Sequence, residues 1–319
     1  MKGASAAEVA KFAALNEHWH NPNGPLRSLH MFNPLRVQYV NQAVKKFGKT
    51  VIPPTAGGAA GADKKHEAAM DFYLSKNDKH LVSSLTPQHR VLDVGCGGGI
   101  LAEPLSRMGA NVLGIDVVAE SIAVAEQRRA ELIKQQAAHY ADVPAMRFAE
   151  NRLQYRQVSL FDLLAEEEAK AAKVAESKEA SSADADAFFD VVVATEVIEH
   201  VDDARGFLSA LCNITKPNGG ILIISTMEKN CLTYLSHILV AEHLTGLVKP
   251  GTHDWRRFID RDRLDKYVTT KHNIRPVDYQ YIVSYPDVAQ SLATRNFQVQ
   301  FSLSRSVATG HYLWTGVRA

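Results

Sequence analysis

Only three cysteines occur in the 319 residues, Cys96, Cys212 and Cys231, and no two form a C-x-x-C pair. So scattered a set excludes a disulfide-built scaffold and a zinc knuckle, and it points to a reducing compartment. An excess of one charge is also missing. The 36 Lys and Arg against 35 Asp and Glu leave a net charge of +1. That is no electrostatic footprint for DNA or RNA, so no nucleic-acid partner is expected. No apolar run reaches about 18 residues, the length a helix needs to cross a bilayer. Residues 1–15 hold Lys2, Lys11 and Glu8 but no arginine, a poor organelle-import presequence. With 46% hydrophobic and 22% charged residues, the composition is that of a globular enzyme long enough to bury a full core.

The chain is organised around Arg90–Leu101, which reads as a strand, a glycine-rich turn and a helix over about 100–108. Val91, Leu92 and Val94 are the apolar run of a parallel strand covered on both faces. Gly95, Gly97, Gly98 and Gly99 permit a tight turn and a ligand in contact with the peptide planes. The helix start offers free N–H groups. A dinucleotide fingerprint, G-x-G-x-x-G counted from Gly95, needs glycine where Ile100 stands. The G-x-G-G-G pattern, with Asp93 inside the strand, suits a cofactor with no pyrophosphate. A second strand, Asn111–Asp116, ends in a carboxylate placed to accept both hydroxyls of a ribose. Strand, turn, helix and spaced acid together are similar to the first motifs of the S-adenosylmethionine methyltransferases.

Ahead of that core, residues 1–22 read as a short amphipathic helix followed by a turn at 21–25. Asn33 can cap a helix that begins with Pro34 and carries Leu35, Tyr39 and Val40 on one side. Arg36 then falls in the first turn, against the helix dipole, which suits contact with a ligand or an acid. An exposed arginine is the plain alternative. Pro53–Gly61 is a flexible connector, and a helix over 64–85 leads into the first strand. This divides the chain into an N-terminal helical segment, 1–62, and a main domain, 63–319. A long helix follows over 119–138, then a third strand over 154–158. Residues 164–187 are nearly all Ala, Glu, Lys, Ser and Asp, and read as a solvated or disordered insertion. A fourth strand over 188–195, a helix over 202–215 and a fifth strand over 221–225 complete the alternation. The expected fold is α/β: a doubly wound, mainly parallel, Rossmann-like sheet with ligands at the carboxyl ends of its strands.

Glu196, Glu199 and His200 stand just past the fourth strand. If Glu196 opens a helical turn, Glu199 shares its face and His200 lies beside it. Two carboxylates and an imidazole are donors for a cation such as Mg²⁺. Helix capping by Glu196 and a surface Glu–His pair are the alternative.

Several separate segments resemble the ubiquinone-biosynthesis O-methyltransferases. They are Asn33-Pro34-Leu35-Arg36, Val91–Ala102, Gly114-Ile115-Asp116, Glu196–Val201, Lys216–Gly220 and Gly251–Ile259. The Asn-Pro-Leu-Arg and Gly-Thr-His-Asp stretches are the specific ones, and the resemblance covers about residues 16–265. It implies a class I S-adenosylmethionine methyltransferase that methylates a catechol hydroxyl on a polyprenylated ring. Arg36 would meet the methionine carboxylate. Asp93, Gly95, Gly97 and Thr195 would line the cofactor and Asp116 would hold its ribose. Glu196, Glu199 and His200 would hold Mg²⁺, and His200 or His253 could take the catechol proton. It also implies a peripheral place on the matrix side of the mitochondrial inner membrane and other ubiquinone-biosynthesis proteins as partners. Two departures bear on the substrate pocket. Glu228-Lys229 replaces Asn-Arg after the fifth strand, and His311 replaces an asparagine before Tyr312.

Residues 229–259 form a lid insertion in this scheme. Within it, 231–249 carries a broad apolar surface broken by His237, Glu242, His243 and Lys249. It reads either as a lid over the site or as an interfacial helix on a membrane surface that admits a lipid-tailed substrate. A metal-independent methyltransferase for another small phenol or acid remains an alternative function. A methyltransferase fold kept as a non-catalytic subunit is the other, against which the intact Asp93, glycines and Asp116 speak.

Overall fold

Alternation along the inner strands sends neighbouring residues to opposite sides of one sheet, because strand side chains repeat every two residues. In β1 (Arg90–Val94), Val91 joins one core while Leu92 and Val94 join the other. In β4 (Val191–Thr195) and β5 (Ile221–Met227), Val191, Val193, Ile221 and Ile223 pack on the first side. Val192, Ala194, Leu222 and Ile224 pack on the second. With both faces covered, these strands read as unbroken apolar runs. The computed structural model describes residues 9–10, 13–48, 83–140, 147–176, 187–230, 233, 255–287, 291–292, 299–306 and 310–319. The Pro53–Gly61 connector, the boundary at 62, most of the 64–85 helix, His253 and all of 231–249 except Thr233 lie outside the described residues.

The remaining elements are α1 (Arg27–Phe47), α2 (Ala102–Arg107), β2 (Asn111–Asp116), α3 (Ala119–His139), α4 (Phe148–Asn151), β3 (Leu153–Gln157), α5 (Leu160–Glu176) and α6 (Ala204–Ile214). After them come α7 (Arg261–His272), β6 (Ile274–Pro286), β7 (Val299–Ser304) and β8 (His311–Arg318). The sheet runs β3-β2-β1-β4-β5-β8-β6-β7, with the first five strands parallel and the last three antiparallel to their neighbours. The doubly wound expectation holds. Strand order reverses beside β1, which opens a crevice between the carboxyl ends of β1 and β4.

α1 corrects the expectation at Asn33. It begins at Arg27, and Pro34 lies inside it. Val37, Val40 and Val44 place its apolar stripe on the first core at helical spacing, each worth about 1.5–3 kcal/mol of burial. That packing outweighs the loss of one helical hydrogen bond at Pro34. Asn33 caps nothing; its Nδ2 donates to the carbonyl of Ile100 at 2.8 Å and ties the helix to the glycine turn. Arg36 is therefore in mid-helix, not in a first turn.

The 164–187 insertion is likewise only part of what was expected. Residues 160–176 form α5, which packs on α6. Leu163 is wholly buried, and Glu167 is 2% exposed with Lys170 and Arg90 near its carboxylate. Two anchors at its start seat a helix whose later residues face solvent. Among the described residues no helix is long and apolar enough to cross a membrane.

Candidate active site

The glycine turn leaves β1 with Gly95 at φ +71°, Gly97 at +52° and Gly99 at +83°. Its amides are used within the protein. Gly95 and Cys96 both donate to the carbonyl of Ile115, at 2.8 and 3.0 Å, and Gly99 donates to that of Cys96 at 2.9 Å. Gly97 donates to Asp116 Oδ2 at 3.0 Å, and Val118 donates to Asp116 Oδ1 at 2.9 Å. The amides of Gly95, Cys96, Gly97 and Gly99 are thus committed within the protein. Asp116 stands where expected, at the end of β2, and its carboxylate also fixes the turn. Burial raises the Asp116 pKa, against the pull of the Val118 and Gly97 amides.

Close approach at the turn is made by the protein itself. A Cβ at Gly95 would lie 2.5 Å from Val197 Cγ2, and one at Gly97 would lie 2.2 Å from Trp19 Cη2. Trp19, in the loop before α1, was no part of the expected site.

Arg36 is 4% exposed; burial lowers its pKa, and Glu196, Asp93 and Glu199 around it act the other way. Its Nη2 is 3.8 Å from Glu196 Oε1. Asp93 points from β1 to the same side as Val91, and burial pushes its pKa up to about 7 despite Arg36. Asp93 Oδ2 and Arg36 Nε are buried without a hydrogen-bond partner. Such unsatisfied groups cost about 1–3 kcal/mol each and are seldom kept without a purpose.

Thr195 ends β4, half-buried, in register with Ser225. Glu196 does not open a helical turn. It has φ +57°, the left-handed region that a residue with a side chain disfavours. The strain is held by bonds across three neighbouring strands. Glu196 N donates to Ser225 Oγ at 3.1 Å, Ser225 Oγ donates to Glu196 Oε1 at 2.6 Å, and His311 Nδ1 is 2.7 Å from Glu196 Oε2. The helical residues are Ile198–His200, a single 3-10 turn. Glu199 accepts from Thr226 Oγ1 at 3.2 Å, and its carbonyl accepts from Arg257 at 3.0 Å. Burial and the neighbouring Glu196 push the Glu199 pKa up to about 8. Burial also acts on Glu196, but the His311 and Arg36 contacts prevail and hold it below the usual carboxylate range.

The structure therefore gathers Arg36, Asp93, Thr195, Glu196 and Glu199 at the crevice, with Gly95, Gly97 and Asp116 along its edge. It does not gather the expected metal ligands. Among the described residues no three His, Cys, Asp or Glu side chains stand close enough to hold a metal ion. Both Glu196 oxygens are engaged, and the left-handed turn removes the i, i+3 geometry that would have aligned Glu196 with Glu199. Sequence reading passed over Trp19, Ser225 and His311 as site residues. His311 was marked only as a departure, and nothing local signals that β8 inserts beside β5 to bring it to Glu196.

A carboxyl-end crevice at the strand reversal, a glycine turn without the dinucleotide pattern and an acid at the end of β2 agree with the class that the comparisons show: an S-adenosylmethionine-dependent methyltransferase. A family model described as "Methyltransferase domain" matches residues 64–272. The "Ubiquinone biosynthesis O-methyltransferase" of Cereibacter sphaeroides is 31% identical over 296 residues, 92% of this chain and 93% of its own. The "Ubiquinone biosynthesis O-methyltransferase, mitochondrial" of Rattus norvegicus is 32% identical over 258 residues, 81% of this chain and 57% of its own. The chain belongs to the ubiquinone biosynthesis O-methyltransferase family, and it is an S-adenosylmethionine-dependent O-methyltransferase. A solved structure similar in part is the magnesium protoporphyrin IX methyltransferase of Synechocystis with bound SAH. It is 13% identical, covering 89% of this chain and 99% of that one, with a TM-score of 0.41.

Proposed function

We propose that this enzyme methylates a catechol hydroxyl on polyprenylated ubiquinone precursors, polyprenyl-dihydroxybenzoate and demethylubiquinol. The observation that carries this reading is the similarity to the Cereibacter enzyme along nearly the whole of both chains. The sulfonium methyl arrives already activated, so the protein has two tasks: to align an oxygen behind it and to remove that oxygen's proton. In this reading Asp116 holds the ribose, Arg36 meets the methionine carboxylate, and Asp93, Gly95, Gly97 and Thr195 line the cofactor. Arg36 Nε and Nη2 are buried without a hydrogen-bond partner, and a carboxylate from the cofactor would supply one. His200, at the carboxyl end of β4, is the proposed proton acceptor, with His253 as a second candidate.

Mg²⁺ would polarise both catechol oxygens if bound, and Glu196, Glu199 and His200 have the donor chemistry for it. As placed, they do not fit the ion: Glu196 would have to exchange His311 and Ser225 for it. This arrangement favours a second reading, methyl transfer without metal. The rat relative's name supports a mitochondrial setting. We carry the matrix side of the inner membrane, other ubiquinone-biosynthesis proteins as partners and a membrane-facing role for 231–249 as parts of the same proposal.

The test is transfer of labelled methyl to a prenylated catechol, with and without chelator, in the presence of vesicles. Failure on every prenylated catechol, with turnover of an unrelated phenol, refutes the substrate. Loss of activity in chelator, restored by Mg²⁺, supports the metal; full activity in excess chelator leaves the second reading.

A further inference from the structure

Residues 19–26 form turns and bends rather than a helix or strand, yet Trp19 is only 6% exposed. What covers it is the glycine turn. A Cβ built at Gly97 would come within 2.2 Å of Trp19 Cη2, and one at Gly98 within 2.5 Å of Trp19 Cγ. The indole therefore touches two consecutive glycines along its whole length, from stem to far edge. With the ring standing where a side chain on either glycine would begin, no other molecule fits between ring and backbone. Gly97 is also the residue whose amide meets Asp116, the proposed ribose acceptor. The ring therefore packs on a residue that the reading above places along the cofactor and that is bonded to its ribose acceptor.

The indole is held there by apolar contact and by two polar links from its backbone: the Trp19 amide donates to the carbonyl of Asn16 at 3.5 Å, and the Trp19 carbonyl lies 2.9 Å from His30 Nε2. Its own Nε1 is buried with no hydrogen-bond partner. An unpaired buried donor raises the free energy of the seated position, so the ring is easier to unseat than its burial suggests. Next to it is a cavity of about 260 Å³ lined by His20 and Pro22 of the same segment, His30 of α1, Ile100 of the turn, Glu103 of α2 and Arg128 of α3. That space allows the segment to shift without disturbing the sheet.

We infer that Trp19 is a cofactor-site residue that packs on the glycine turn and is displaced when S-adenosylmethionine or its product binds. This rests on the cofactor reading above. Because the competent state must first be uncovered, the apparent affinity of the intact enzyme is lowered by the fraction of molecules in which the ring is seated.

The experiment uses the full chain labelled with 5-fluorotryptophan. Its three tryptophans give three resonances, and the Trp19 line is assigned by its absence in Trp19→Phe. Titration with S-adenosylhomocysteine should move the Trp19 line strongly. In calorimetry, Trp19→Ala should bind the same ligand about tenfold more tightly, and its KM for S-adenosylmethionine should fall with little change in kcat. Trp19→Phe, which keeps a ring on the turn, should stay near wild type and serves as the folding control. Binding by the wild type that leaves the Trp19 line in place overturns the inference, as does equal or weaker binding by Trp19→Ala while Trp19→Phe binds normally. In either case the cofactor reading survives. No binding by wild type or either variant overturns both. Binding by Trp19→Ala alone is the strongest result in favour.

Discussion

His311 Nδ1 stands 2.7 Å from Glu196 Oε2, joining the start of β8 to the residue that follows β4 across the intervening strand β5. On the far side of the same carboxylate are Ser225 Oγ and Arg36. His311→Ala removes one of these partners from a buried carboxylate in a left-handed turn. It should lower the unfolding free energy by about 1–3 kcal/mol, read by denaturant titration. His311→Asn, which can still donate to Glu196, should recover most of that loss. Equal stability of the Ala variant and wild type would show that the contact contributes nothing.

Asp116→Ala should weaken S-adenosylhomocysteine binding by about 1.5–3 kcal/mol, or 10- to 150-fold, by loss of a charged acceptor. Because the same carboxylate accepts from Gly97 and Val118, the variant should also melt at lower temperature. Asp116→Asn keeps one acceptor oxygen and should melt between the two. Unchanged affinity in calorimetry refutes the placement of the ribose.

Asp93 has its folded pKa raised to about 7 by burial. Between about pH 4 and 7 the unfolded chain has released this proton and the folded chain retains it. Stability from this group is therefore full below pH 4 and falls as pH rises to 7, by at most about 1.4 kcal/mol per unit. Asp93→Asn should flatten that part of the stability–pH curve. An identical slope in both proteins would place the Asp93 pKa near its ordinary value.

Leu163→Ala should cost about 2–5 kcal/mol, since Leu163 is wholly buried where α5 packs on α6. A thermal melt within about 1 °C of wild type would show that α5 is dispensable.

The five parallel strands and their order of appearance were legible because each carries its own signal, whereas the antiparallel strands β6, β7 and β8 were not foreseen. Continuous apolar runs bounded by Gly, Asn or Asp mark buried parallel strands, and β2 begins and ends at the expected residues. The glycine turn and Asp116 were legible for the same reason: both are fixed by backbone needs within a short stretch of chain. Asn33-Pro34 misled because it has the form of a helix start, and only the packing of Val37, Val40 and Val44 shows that the helix begins earlier. α5 was hidden by its composition, since two buried anchors, Leu163 and Glu167, are too few to stand out in a charged tract.

Sequence alone determined the parallel sheet, the turn, the acid that ends β2 and the family, because these depend on neighbours in the chain. Tertiary structure alone decided that Glu196 turns left-handed toward Ser225 and His311, that Arg36 lies buried among three acids, and that Trp19 covers Gly97. Each of those depends on which distant strand or loop is brought alongside. Side-chain contacts of that kind follow from sheet order and core packing, which no local pattern encodes.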